Sequence, residues 1–212
     1  ELYTNVWHGD FSKLEKIIGK QIEKLDREKV ESNKLVDEAK NKDIALLVVG
    51  DPLSATTHFE LMLVSKQNSV KTEIIHASSI YTAISETGLH LYKFGRMTTI
   101  PQPQKGFEPT SPYDVIESNQ KLGFHTLILL DIGMTVAQGL EQLLRLEEKQ
   151  KKGIINKELN IISCYNLGSK NKKIVYNTIQ NIMKKDIKDI PAVIIITGKL
   201  NFKEEEALNL WK

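Results

Sequence analysis

The chain has 212 residues, 41% apolar and 26% charged, enough length and hydrocarbon for one large domain or two small ones with buried cores, and a poor match to a disordered chain. Its net charge of +2 comes from 29 Lys and Arg scattered among 27 Asp and Glu, so there is no electrostatic case for nucleic acid. Cys164 is the only cysteine, which excludes an intramolecular disulfide and fits a reducing compartment. No apolar run approaches the roughly 18 residues that span a bilayer, and ELYTNVWHGD lacks a basic-then-apolar leader pattern, so the expectation is a cytoplasmic protein with no membrane partner.

In chain order, Asp10 caps SKLEKIIGKQIEKL (12–25), whose apolar spacing predicts a helix. IALLVVG (44–50) predicts a strand, HFELMLVSKQ (58–67) a helix and KTEIIHA (71–77) another strand. The segment 100–112 holds four of the six prolines and has neither period, so it reads as a linker between an N-terminal α/β domain (1–99) and a C-terminal one (113–212). YDVIESNQKLG (113–123) predicts a helix closed by Gly123, TLILLDI (126–132) a strand, and VAQGLEQLLRLEEKQKKG (136–153) a helix closed by Gly153. NIISCYNLG, from Asn160, is a more polar strand, the lysines from 170 to 173 read as a solvated loop, and VIIITG (193–198) is a further strand. The strands lack in/out alternation, which marks burial on both faces. Alternating with helices, they predict an α/β fold with a parallel sheet, right-handed crossovers, and ligand binding at the strands' carboxyl ends.

The stretch ALLVVGDPLSATTH (45–58) passes from hydrocarbon to Gly, Asp, Pro, Ser, Thr and His. A hydrolase triad draws its members together through the fold and needs a nucleophile elbow, and no G-x-S-x-G is present. His8, His58, His76, His90 and His125 show no i,i+4 pair and no cysteine cluster, so no metal site is predicted. Two readings stay open. Gly50 and Pro52 shape a turn that presents Asp51 and Ser54 to a ligand, or the turn serves only to cap the following helix through Thr56 or Thr57.

VVGDPLSATTH, IIHASSIYTAISETGLHLYKFG, LGFHTLILLDI and MTVAQGLEQLLRLEEK together resemble the diphthine synthases, S-adenosyl-L-methionine-dependent methyltransferases of the tetrapyrrole-methylase-like superfamily. The resemblance runs through nearly the whole chain. It implies two α/β domains with the cofactor in an interdomain cleft, a homodimer, and methylation of the amino group of a modified histidine, the diphthamide precursor, on translation elongation factor 2. The product is diphthine or its methyl ester. MTVAQ and LRLEEK resemble eukaryotic members more than archaeal ones.

By motif, the family's cofactor contacts fall on Asp51 and Ser54 of GDPLS, Ser79 and Ile80 of IHASSI, Leu130 of LILLDI, Leu167 of NLGS, and Ala192 before VIIITGK. Ser78 and Ser79 also fit a plain helix N-cap. No catalytic base is identified, although His90 is a possible proton acceptor after the first methylation, alongside a structural role. Two departures stand out. Family members begin with a strand and a GLGL-type loop, whereas this chain starts after it, at a point resembling AExYTS, as a truncated sequence would. LLDIG also passes directly to MTVAQ where relatives carry an extra basic segment. The alternatives are another superfamily methyltransferase acting on a tetrapyrrole or ribosomal RNA, and a non-catalytic cofactor-binding module.

Overall fold

The computed structural model describes residues 1, 3, 7 and 9–212, and the chain folds as two compact units, Glu1–Ser79 and Ile80–Lys212. His8 lies outside the described residues. The segment 80–99, assigned by sequence to the N-terminal half, belongs to the second unit.

In the first unit, α1 (Phe11–Ile18) opens at Asp10, whose carboxylate accepts the Ser12 N–H, and stops at Gly19 in the left-handed region, well short of the helix expected over 12–25. Glycine there costs no Cβ clash, and its N–H closes on the Glu15 carbonyl. Helices α2 (Arg27–Glu31), α3 (Lys34–Ala39) and α4 (Phe59–Gln67) follow. The expected strands over 44–50 and 71–77 are corrected: both runs are irregular backbone. Apolar content suits a segment to a buried ladder, but a strand exists only where a second chain segment pairs with it. Neither run pairs in a ladder among the described residues, and Ile75 is 80% exposed.

The second unit is built on a five-stranded sheet in the order β1-β2-β5-β3-β4. Its strands are β1 (Thr98–Ile100), β2 (Thr126–Leu130), β3 (Asn160–Tyr165), β4 (Lys173–Thr178) and β5 (Ala192–Ile196). Only β1 and β2 run parallel, joined through α6 (Ser111–Leu122), and the other pairings are antiparallel, so the expected parallel sheet is corrected to a mixed one. Burial on both faces was the signal read, and it does not fix strand direction. The double burial itself is present. Ile194 and Ile196 of β5 pack with Ile128, Leu140, Leu143 and Ile161 on one face, while Val193 and Ile195 pack with Leu127, Ile162, Cys164 and Leu208 on the other.

The first face is covered by α6, α7 (Val136–Gln150) and α8 (Ile179–Lys185), and the second by α5 (Ile80–Ala83) and α9 (Phe202–Leu208). Gly123 ends α6 in the left-handed conformation, as its position predicts, whereas α7 ends at Lys151 rather than at Gly153. A reciprocal capping box, Thr135 with Gln138, starts α7.

One charged network ties α9 to the sheet. The Glu204 carboxylate, fully buried, accepts from Lys93 Nζ, from the backbone N–H groups of His90 (3.1 Å) and Asn201 (3.0 Å), and from His125 Nε2 (3.1 Å). His125 Nδ1 accepts the Gly198 N–H at 2.9 Å. Burial pushes Glu204 up, but Lys93, the two backbone donors and His125 outweigh it and bring the carboxyl down to about 2. No described helix is long and apolar enough to cross a membrane.

Candidate cofactor-binding residues

In the first unit, Gly50 leaves the apolar run with φ of +95°, and a Cβ there would sit 3.5 Å from the Ser78 carbonyl oxygen, so the GDPLS turn lies alongside the IHASS segment. Asp51 fastens the two. Its Oδ1 accepts the Leu53 N–H at 2.9 Å and the Ser54 hydroxyl at 3.0 Å, and its Oδ2 lies 2.8 Å from His76 Nδ1 and 3.3 Å from the Ala77 nitrogen. The carboxyl is therefore held well below the usual carboxylate range, first by His76 and then by Leu53, against the opposing effect of burial.

A carboxylate offers about four lone-pair sites, and four partners fill them here. Among the described residues no donor is found for the Ser54 hydroxyl oxygen and no partner for Nε2 of His76. The expected Thr caps are replaced by another arrangement: Thr56 donates to the Pro52 carbonyl at 2.8 Å, and α4 begins after His58 without a side-chain cap. Ser79 ends the first unit immediately before α5.

In the second unit, Ile80 opens α5 and packs against the core cluster that includes Ile84, Leu127 and Ile195. Leu130, Leu167 and Ala192 share one end of the sheet. The strand β5 runs antiparallel to both β2 and β3, with Val193 opposite Leu129 and Ala192 opposite Tyr165, so the last residue of β2, the first of β5 and the exit from β3 lie side by side. The Asn166 N–H donates to the Pro191 carbonyl at 2.9 Å and ties that exit to the entry of β5.

Asn166 itself has φ of +50°, is 8% exposed, and its Oδ1 finds no hydrogen-bond partner among the described residues. An unpaired buried acceptor costs free energy. The sequence reading missed it because it concentrated on Leu167 next door. A polar turn carrying the Ser54 hydroxyl suits a hydrogen bond to a ligand's sugar or amino-acid group.

The other described histidines are engaged structurally. His58 Nδ1 lies 2.9 Å from the Pro52 oxygen and its Nε2 3.2 Å from the Tyr3 hydroxyl. His90 Nδ1 lies 2.7 Å from the Tyr92 hydroxyl and 3.3 Å from Asn201 Nδ2. Among the described residues, no group of three His, Cys, Asp or Glu side chains could hold a metal ion.

The family model for Tetrapyrrole (Corrin/Porphyrin) Methylases matches residues 9–183. A diphthine synthase from Methanococcus maripaludis is 45% identical over 98% of this chain and 85% of its own length, and one from Methanocaldococcus jannaschii is 44% identical over the same shares. A solved structure described as that of a candidate diphthine synthase from Entamoeba histolytica is 30% identical, with a TM-score of 0.92 over 99% of this chain and 85% of that one. These archaeal identities lend no support to the eukaryotic leaning of MTVAQ and LRLEEK. With a family model spanning most of the chain and relatives of this similarity across nearly all of it, the chain belongs to the tetrapyrrole methylases and, within them, to the diphthine synthases.

Proposed function

We propose that the chain transfers methyl groups from S-adenosyl-L-methionine to the amino group of the modified histidine of translation elongation factor 2, forming diphthine or its methyl ester in diphthamide biosynthesis. The observation that carries this reading is the 45% identity to a diphthine synthase across 98% of the chain. We further propose that it works as a cytoplasmic homodimer, and that Asp51, Ser54, Ser79, Ile80, Leu130, Leu167 and Ala192 hold the cofactor.

S-adenosyl-L-methionine supplies a methyl carbon on a sulfonium whose leaving group departs neutral, so no strong acid is required of the protein. Positioning is then the main contribution, and fixing amine and methyl carbon in near-attack geometry is worth roughly 7–11 kcal/mol. Asp51 contributes by rigidity: its four hydrogen bonds lock the turn that carries Ser54. Leu130 and Ala192 turn into the core on one face of the sheet and Leu167 into the core on the other, so the sheet end they share offers the cofactor its backbone.

The test is to incubate the chain with labelled S-adenosyl-L-methionine and elongation factor 2 carrying the unmethylated aminocarboxypropyl-histidine, then weigh the modified peptide. Methyl increments confined to that histidine are expected, and their number distinguishes diphthine from its methyl ester. Cofactor binding with no increment would overturn the reading.

A further inference from the structure

We propose that His76 is the catalytic base of methyl transfer and that Asp51 is its positioning residue. This rests on the reading above, in which the acceptor is an amine, because an amine that arrives protonated has no lone pair with which to attack.

The geometry has three parts. First, Asp51 is an ionised, 8% exposed carboxylate and can only accept, so the 2.8 Å contact from His76 Nδ1 requires the proton to sit on Nδ1. The neutral ring therefore carries its lone pair on Nε2. Second, the His76 side chain is 69% exposed, and no hydrogen-bond partner of Nε2 is found among the described residues, so that lone pair faces outward. Third, His76 lies one residue before Ala77, whose N–H reaches the same carboxylate, and three before Ser79, so the ring, itself part of IHASSI, is tied to the GDPLS turn. A carboxylate that fixes an imidazole's tautomer and orientation, and leaves its other nitrogen open, is the arrangement general bases use.

His58 and His125 fail this criterion because both of their ring nitrogens are engaged, and His90 because no carboxylate among the described residues orients its ring. Asp51 is the charged group within ion-pair distance of His76 among the described residues.

In the step, Nε2 takes one proton from the substrate ammonium. The freed nitrogen lone pair forms the N–C bond as the C–S bond breaks, and that electron pair goes to sulfur, which leaves as a neutral thioether. The imidazolium, its Nδ1–H still on Asp51, then returns the Nε2 proton to water. Each further methylation of the same nitrogen repeats the cycle, since the product of every round but the last is again an N–H cation.

The experiment compares wild type, His76→Gln and His76→Ala by kcat at saturating cofactor across pH, by cofactor Kd, and by rescue with free imidazole. Gln still donates to Asp51 but has no basic nitrogen. We expect its kcat to fall by about 10²–10⁴-fold at neutral pH, with cofactor Kd within about twofold of wild type. In both variants the wild-type acid limb should give way to a rate that keeps climbing with pH as more of the substrate amine is free of its proton, and imidazole should restore part of the His76→Ala rate. A His76→Gln enzyme that keeps the wild-type kcat and acid limb, or loses only cofactor affinity, overturns the assignment and leaves the methyltransferase reading standing. A wild type that binds cofactor and transfers no methyl to this substrate overturns both.

Discussion

Replacing Glu204 with Gln tests whether the buried network is what fastens α9 to the sheet. Gln keeps an oxygen to accept from the His90 N–H and from His125, but places an amide nitrogen where Oε2 now meets Lys93 Nζ and the Asn201 N–H, so donors face donors. Lys93 then loses its carboxylate partner while its side chain is only 20% exposed. Breaking one member of a buried ion pair typically costs 3–5 kcal/mol, and we expect about that loss here.

The pH dependence has a definite sign. The Glu204 carboxyl sits at about 2 in the fold against an ordinary 4.5, so its contribution, about 3 kcal/mol by linkage, is complete above pH 4.5 and disappears as pH falls toward 2. Urea unfolding followed by Trp211 fluorescence in a Trp7→Phe background reads the second unit, because the Trp211 indole N–H donates to the Thr87 carbonyl at 3.1 Å there. The stability gap between wild type and Glu204→Gln should be widest near neutrality and should close below pH 4.5. A gap under about 1 kcal/mol at pH 7, or one that does not vary with pH, would refute the reasoning.

Gly198→Ala should be costly, by at least about 2 kcal/mol in urea, because a Cβ would lie 2.4 Å from the carbonyl oxygens of both Gly123 and Phe124, and backbone cannot swing aside. Gly153→Ala, which meets nothing within 4 Å but has φ of +74°, should lose only about 1 kcal/mol. Burial, with a smaller push from Glu86, raises the Cys164 thiol to about 12, so it should resist disulfide reagents in the native state and react fully once urea unfolds the chain. Asn166→Gly retains the left-handed backbone while deleting the unpaired Oδ1. It should leave folding stability unchanged to within about 1 kcal/mol or raise it, since no hydrogen bond is lost with that oxygen, and a loss above about 2 kcal/mol in urea would overturn this.

The parts legible in the sequence are those set by local chemistry. TLILL, NIISCY and AVIII carry enough β-branched and apolar surface to occupy a sheet buried on both faces, and the Asp10 and Gly123 signals mark a helix start and a helix end. Pairing is not local. IALLVVG has much the same composition as β5 yet joins no ladder among the described residues, and KIVYNT, hidden behind a lysine run, became β4 because β3 lies beside it. At the site, the Asp51-to-Ser54 turn was legible because its partners are two and three residues apart, whereas the His76 link spans 25 residues and the Lys93–Glu204 link 111.

Two histidine–carboxylate pairs among the described residues show why a motif alone could not assign their roles. His125 and His76 each direct one nitrogen at a carboxylate that the fold keeps ionised. For His125, burial holds the ring below its ordinary pKa despite the pull of Glu204, and a second proton would displace the Gly198 N–H from Nδ1. Charging that ring would therefore break the junction between β2 and the exit of β5, and its chemistry is spent on structure. For His76, a second proton arrives on Nε2 and breaks no hydrogen bond found among the described residues. The same pair of residue types thus serves as a clamp where the second nitrogen is occupied, and as a candidate proton acceptor where that nitrogen is open.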